Sequence, residues 1–106
     1  MVRGIFSTIY FQSNEKIDLK EYVSYFSEHP FVNVLNESPK VKDVRGTNNC
    51  NLFIQELKKN NDLNSYRIIS VIDNLTKGAS GQAVQNMNLM FDFKEMLGLN
   101  NMPLYP

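Results

Sequence analysis

Three features of the sequence predict an α+β fold, with a mixed or antiparallel sheet and helices packed on one face. Strand-like and helix-like periodicities run in the order strand, helix, strand, strand, strand, helix. That order lacks the repeated strand-helix-strand units of a parallel sheet. Two of the strands are separated by a short polar stretch suited to an antiparallel hairpin. No internal repeat or low-complexity linker divides the chain, so residues 1–106 are read as a single unit.

Residues 4–12 alternate Ile5, Ser7, Ile9 and Phe11 against Phe6, Thr8 and Tyr10. This β-branched and aromatic content predicts a strand that carries apolar groups on both faces and needs cover on each. Asp18 then stands three residues before Glu21, and Ile17 and Tyr22 flank them as a hydrophobic staple would. A helix is expected to start there, with Leu19, Tyr22, Val23 and Phe26 forming its buried stripe. His29-Pro30 ends it, because the residue before proline avoids the helical region. Residues 31–35 are a short apolar run, read as a strand, and residues 36–49 are read as a polar loop holding Pro39 and Gly46. Residues 51–57 and 65–72 alternate as two strands that should pair antiparallel across a loop at 58–62. A final helix is expected over 78–91, where Ala79, Ala83, Met87 and Met90 recur at spacings of four, four and three. The tail after Gly98 carries Pro103 and Pro106 and should be irregular.

Composition narrows the classes of function. Eleven basic residues balance eleven acidic ones, and no cationic run exists to neutralise a track of phosphates, so nucleic acid is not an expected partner. No apolar run approaches the roughly 20 residues of a membrane span, and none forms the core of a signal peptide. The single cysteine, Cys50, cannot form an internal disulfide, so a cytoplasmic location is expected. Cys50 lies in an alternating apolar segment and reads better as a small buried hydrophobe than as a nucleophile. His29, at a helix end before proline, has no nucleophile within sequence reach. No histidine, cysteine and carboxylate cluster suggests a metal site. Arg45, in the polar loop, is the best candidate for a functional charge, since guanidinium suits bidentate capture of a carboxylate or phosphate. A plain surface arginine is the other reading.

The most informative stretch is Asp73-Asn74-Leu75-Thr76-Lys77-Gly78-Ala79-Ser80-Gly81-Gln82-Ala83, between a strand end and a helix start. A helix N-terminus offers unpaired amides and the positive end of the dipole, which favours an anionic ligand. Its small residues let a ligand or another backbone approach closely. Glycine within a helix costs about 1 kcal/mol against alanine, so Gly78 and Gly81 need compensation from packing or binding. A tight helix-packing surface explains them as readily as a ligand does. The pattern is neither a dinucleotide fingerprint nor a P-loop.

The run from Ile72-Asp73-Asn74 through Lys77-Gly78-Ala79-Ser80-Gly81-Gln82-Ala83-Val84-Gln85-Asn86-Met87 to Met90-Phe91 closely resembles the C-terminal signature of N-acetyl-gamma-glutamyl-phosphate reductases. Met1-Val2-Arg3-Gly4-Ile5, Asp43-Val44-Arg45-Gly46-Thr47-Asn48, Pro30-Phe31-Val32 and Leu97-Gly98-Leu99 agree in the same order, so the resemblance covers essentially the whole chain. It implies part of a semialdehyde-dehydrogenase-like C-terminal domain, without the nucleotide-binding domain. The activity it implies is NADP-dependent reduction of N-acetylglutamyl phosphate to the semialdehyde in arginine biosynthesis. By the resemblance, Asn74, Gly78, Ala79, Gly81 and Gln82 would line the nicotinamide side of the NADP site. The family's nucleophilic cysteine and assisting histidine lie upstream of the segment matching Met1, so the chain should be inactive alone. The expected partners are a second copy or the enzyme's nucleotide-binding domain, since a last helix without that domain would expose Ala83, Met87 and Met90. The competing expectation is a stand-alone interaction or dimerisation module without catalysis. One departure stands out: Asp92 follows Met90-Phe91 where the family has glycine, which makes a left-handed helix terminus less comfortable.

Overall fold

The computed structural model describes residues 3–58 and 63–103. Residues 59–62, most of the expected hairpin loop, lie outside them, as do Met1, Val2 and Pro106. Four strands form one mixed sheet in the order β1-β4-β3-β2, made of β1 (Ile5–Ser13), β2 (Val32–Leu35), β3 (Cys50–Glu56) and β4 (Asn64–Ile72). The β1/β4 and β3/β4 pairs are antiparallel and the β2/β3 pair is parallel. The antiparallel pairing of the third and fourth strands is the one expected from their alternation. Register runs from Ile5 opposite Ile72 to Ser13 opposite Asn64, and Cys50 also faces Ile72 from the other side.

The interior strand β4 is covered on both faces. Tyr66 is buried on one side, stacked on Phe11 at 5.3 Å, while Ile69 and Val71 are buried on the other. The edge strand β1 fares differently: Ile5, Phe6, Ile9 and Tyr10 stay 45–66% exposed. Their alternation places Ile5 and Ile9 on one face and Phe6 and Tyr10 on the other. The chain thus leaves uncovered the two faces that the sequence says need cover.

Helix α1 (Leu19–Tyr25) starts at the expected cap, where the Asp18 carboxylate accepts from the Lys20 amide at 3.0 Å. It ends before the expected His29-Pro30 stop. Ser27 and His29 instead donate to carbonyls three residues back, so tight turns carry the chain to proline.

The stretch read as a polar loop, residues 36–49, departs most from expectation. It contains a short 3-10 turn (Val41–Asp43), and Pro39, Val44, Thr47 and Asn48 are buried. Its polar side chains go inward because partners await them: the Thr47 hydroxyl donates to the Val44 carbonyl, and the Asn48 amide to Gln85 Oε1.

The last helix is two segments. A π-helical turn (Thr76–Ser80) leads directly into helix α2 (Gly81–Met90). Ala79, Ala83, Met87 and Met90 all face outward, Met90 at 79% exposure. The inward positions are Gly81 and Asn88. Asn88 donates to the Glu95 and Leu97 carbonyls, folding the tail back so that Leu99 is buried. The helix terminates with Asp92 at φ 58°, Phe93 N–H donating to Asn88 C=O and Asp92 N–H to Leu89 C=O. That is a Schellman terminus with an aspartate in the left-handed position glycine prefers.

Candidate cofactor-facing site

The two motif segments meet at one carboxylate. Asp73 is the first residue after β4 and is fully buried. Its Oδ1 accepts from the amides of Leu75 at 2.8 Å and Thr76 at 3.2 Å, the geometry of an Asx turn opening a helix. Its Oδ2 accepts from the Gly46 amide and from Arg3, whose Nη2 lies at 2.8 Å. Burial alone would raise the carboxyl pKa, but Arg3 and the three amides together hold it below the ordinary carboxylate value. Asp73 is therefore a charged clamp joining the N-terminal strand, the Arg45 loop and the start of the last helix.

This clamp corrects one expectation. The helix start was expected to favour an anion through free amides, yet the first of these amides already bind Asp73. What remains open is a neutral surface of small residues: Gly78, Ala79 and Ser80 are exposed. A Cβ placed on Gly78 would meet nothing nearer than 3.6 Å. Such a face fits a flat uncharged ring better than a phosphate.

The five predicted site residues share this opening but differ in role. Asn74 accepts from the Gly4 amide at 2.8 Å through Oδ1, pinning the strand to the turn. Gln82 is half-buried and donates to Asn86 at 3.1 Å. Gly81 points inward: an added Cβ would sit 2.3 Å from Asn48 Oδ1 and 2.6 Å from the Thr76 carbonyl oxygen. Its missing side chain is filled by this chain's own Asn48, so the packing explanation holds there, whereas Gly78 stays open.

Arg45 sits beside Gly46 with its Nε buried and without a hydrogen-bond partner. The Nε atoms of Arg3 and Arg67 share that state, and an unpaired guanidinium nitrogen is the kind of group an anion completes. Lys77 extends under the loop, donating to Gln85 Oε1 at 2.6 Å and lying 5.4 Å from the Phe31 ring centre. Burial lowers its pKa, against the opposing pull of Cys50 and Glu95. The Cys50 thiol lies 3.5 Å from the Ser70 hydroxyl, and His29 stacks on Tyr25. Among the described residues, no group of three or more histidines, cysteines and carboxylates could hold a metal, and no helix is long and apolar enough to cross a membrane. Asp73 is the residue that sequence reasoning passed over; an aspartate just after a strand and three residues before a helix start was its available signal.

Comparison with known proteins matches this architecture. A family profile for the semialdehyde dehydrogenase dimerisation domain matches residues 1–74. Over its whole length the chain is 45% identical to N-acetyl-gamma-glutamyl-phosphate reductase of Halalkalibacterium halodurans and covers 32% of it. It is 46% identical to the protein of that name from Ruthia magnifica subsp. Calyptogena magnifica, covering 31%. The chain thus spans about a third of the length of the curated relatives it matches. In three dimensions it is similar to aspartate semialdehyde dehydrogenase II from Vibrio cholerae, solved in complex with ASA. The TM-score is 0.62 over 85% of this chain and 27% of that one, and the 18% identity makes this a likeness of fold alone.

Proposed function

Because the chain belongs to the semialdehyde dehydrogenase dimerisation-domain family, we propose that it works as the C-terminal section of an NADP-dependent reductase. Its substrate would be N-acetylglutamyl phosphate, as the names of its relatives suggest, and in this reading the reduction to the semialdehyde takes place in the cytoplasm and serves arginine synthesis. In this reading the section supplies subunit contacts and one wall of the cofactor site. A partner domain supplies the nucleotide fold and the nucleophile. NADPH, when bound, supplies the hydride.

The observation that carries the reading is the exposed opening of the last helix, capped by the Asp73 carboxylate. Gly78 and Ala79 present bare backbone to a neighbour, Asn74 and Gln82 flank them, and Gly81 lets the helix seat against Asn48. This wall suits the nicotinamide ring rather than the pyrophosphate. In this reading Arg45, with its unpaired Nε, would meet the anionic end of the acyl phosphate or its carboxylate. The uncovered faces of β1 are where a second copy would pack.

Titration with NADPH tests this reading, first with the chain alone and then with a separately made nucleotide-binding domain of the family. Binding and acyl-phosphate reduction appearing only in the mixture is the expected result. A chain that associates with itself yet stays silent with every such domain would instead be a stand-alone dimerisation module.

A further inference from the structure

Asp73 divides its labour between two oxygens. Oδ1 is given to the amides of Leu75 and Thr76, where the helix opening starts, and Oδ2 to the amide of Gly46, next to Arg45, and to Arg3. Its carboxylate joins the Arg45 loop directly to the turn Leu75-Thr76. Both segments lie outside the sheet, the turn running straight into the π-helical residues from Thr76, and Gly46 is held at φ 80°. The Cys50–Ile72 pairing and the Asn48–Gln85 bond hold the outer ends of the two segments together, and the carboxylate ties them at Gly46 and the turn.

From this geometry we infer that Asp73 is a positioning residue, setting the distance between Arg45 and the helix opening so that the anionic end of the substrate and the cofactor ring are held in register. The inference rests on the reading of Arg45 and the helix opening given above. Neither oxygen touches a reacting atom; the effect travels through Gly46 to Arg45 and through Leu75 and Thr76 to Gly78. A reaction between two bound molecules is sensitive to such spacing, since a displacement of about 1 Å can cost on the order of 100-fold in rate.

Asp73→Asn is the discriminating change, because it preserves shape but leaves one acceptor oxygen. The NH2 group then faces amide donors on one arm, and that arm must part. Asp73→Glu keeps both acceptors but moves them by one methylene. Two measurements follow, at a temperature where circular dichroism shows the variants folded. In hydrogen exchange on the chain, Asp73→Asn should release the Gly46 amide or the Leu75 and Thr76 amides, while Ile69 and Val71 keep their protection. In the reductase assembled with the nucleotide-binding domain, kcat should fall about 100-fold with NADPH affinity little changed, and Asp73→Glu should not restore it.

A merely structural role predicts the opposite pattern: uniform loss of protection and unaltered kcat per folded molecule. Either of those results overturns the inference. Arg45→Ala, assayed alongside, separates the two levels of the argument. If it leaves the acyl-phosphate KM unchanged, the assignment of Arg45 falls and the registering role falls with it. If it raises KM while Asp73→Asn leaves kcat intact, the assignment survives and only the positioning role is lost.

Discussion

Replacing Gly81 by alanine sets two readings of the helix opening against each other. An alanine Cβ would lie 2.3 Å from Asn48 Oδ1, 2.6 Å from the Thr76 carbonyl oxygen and 2.8 Å from its carbon. Ordinary non-bonded carbon contacts lie near 3.5–4.0 Å, so something must move by about 1 Å. Asn48 could yield only by giving up its bond to Gln85, and Thr76 is backbone held by Asp73. Overpacking of this kind costs about 1–3 kcal/mol, and alanine returns about 1 kcal/mol through its better helix propensity. A net loss of about 0–2 kcal/mol is expected, which for a domain of this size lowers the melting temperature by up to roughly 15 °C. The assay is urea denaturation followed by far-ultraviolet circular dichroism at pH 7 and fixed protomer concentration, since self-association adds to apparent stability. In a double-mutant cycle, Asn48→Ala should absorb part of the loss, because it removes one of the two obstructions while the Thr76 carbonyl remains. A Gly81→Ala protein as stable as the parent, with strictly additive energies in the cycle, would refute the claim that this glycine is held against Asn48.

The neighbouring positions give contrasting expectations. Gly78→Ala meets only ordinary contacts, so denaturation midpoints should stay level or rise by up to about 1 kcal/mol; NADPH titration of the assembled enzyme should nevertheless show weaker binding. Asp92→Gly relieves a left-handed aspartate and should stabilise by about 1 kcal/mol, read as a higher melting temperature. The lowered pKa of Asp73 makes a stabilising contribution that is fully present above the unfolded carboxylate value near 3.9. This contribution is lost as pH falls through the lower folded value. Acid titration should therefore show a steeper loss of stability below about pH 4 in the parent than in Asp73→Asn, and parallel curves would contradict the clamp. Sedimentation at several concentrations should show association, weakened by Ile9→Lys on β1; a strict monomer at all concentrations would remove the case for β1 as an interface.

The sheet was legible because its strands carry their own signals. Alternation marks β1, β3 and β4, and Asp18 marks the start of α1 through a local hydrogen bond. The 36–49 segment was not legible, since polar composition says nothing about where polar groups find partners; Thr47 and Asn48 are buried through bonds to residues three and 37 positions away. The helix opening was half legible. Its small residues advertise close approach, but they do not say from which side. Only the fold shows that Asn48 fills the space at Gly81 while Gly78 stays open. The anion preference expected there failed for a local reason, because the aspartate that precedes the helix satisfies the amides itself. The outward stripe of α2 was correctly expected to lack cover, whereas the inward role of Asn88 has no periodic signature at all.

The free margin of β1 has a practical side. Along the nine residues from Ile5 to Ser13, alternate ones present backbone donors and acceptors to an edge that no described strand occupies, flanked by isoleucine, phenylalanine and tyrosine. Such a border templates further strand addition when left bare. Kept concentrated without its natural companions, this polypeptide should drift toward fibrillar precipitate, and lysines introduced along that border should keep it in solution.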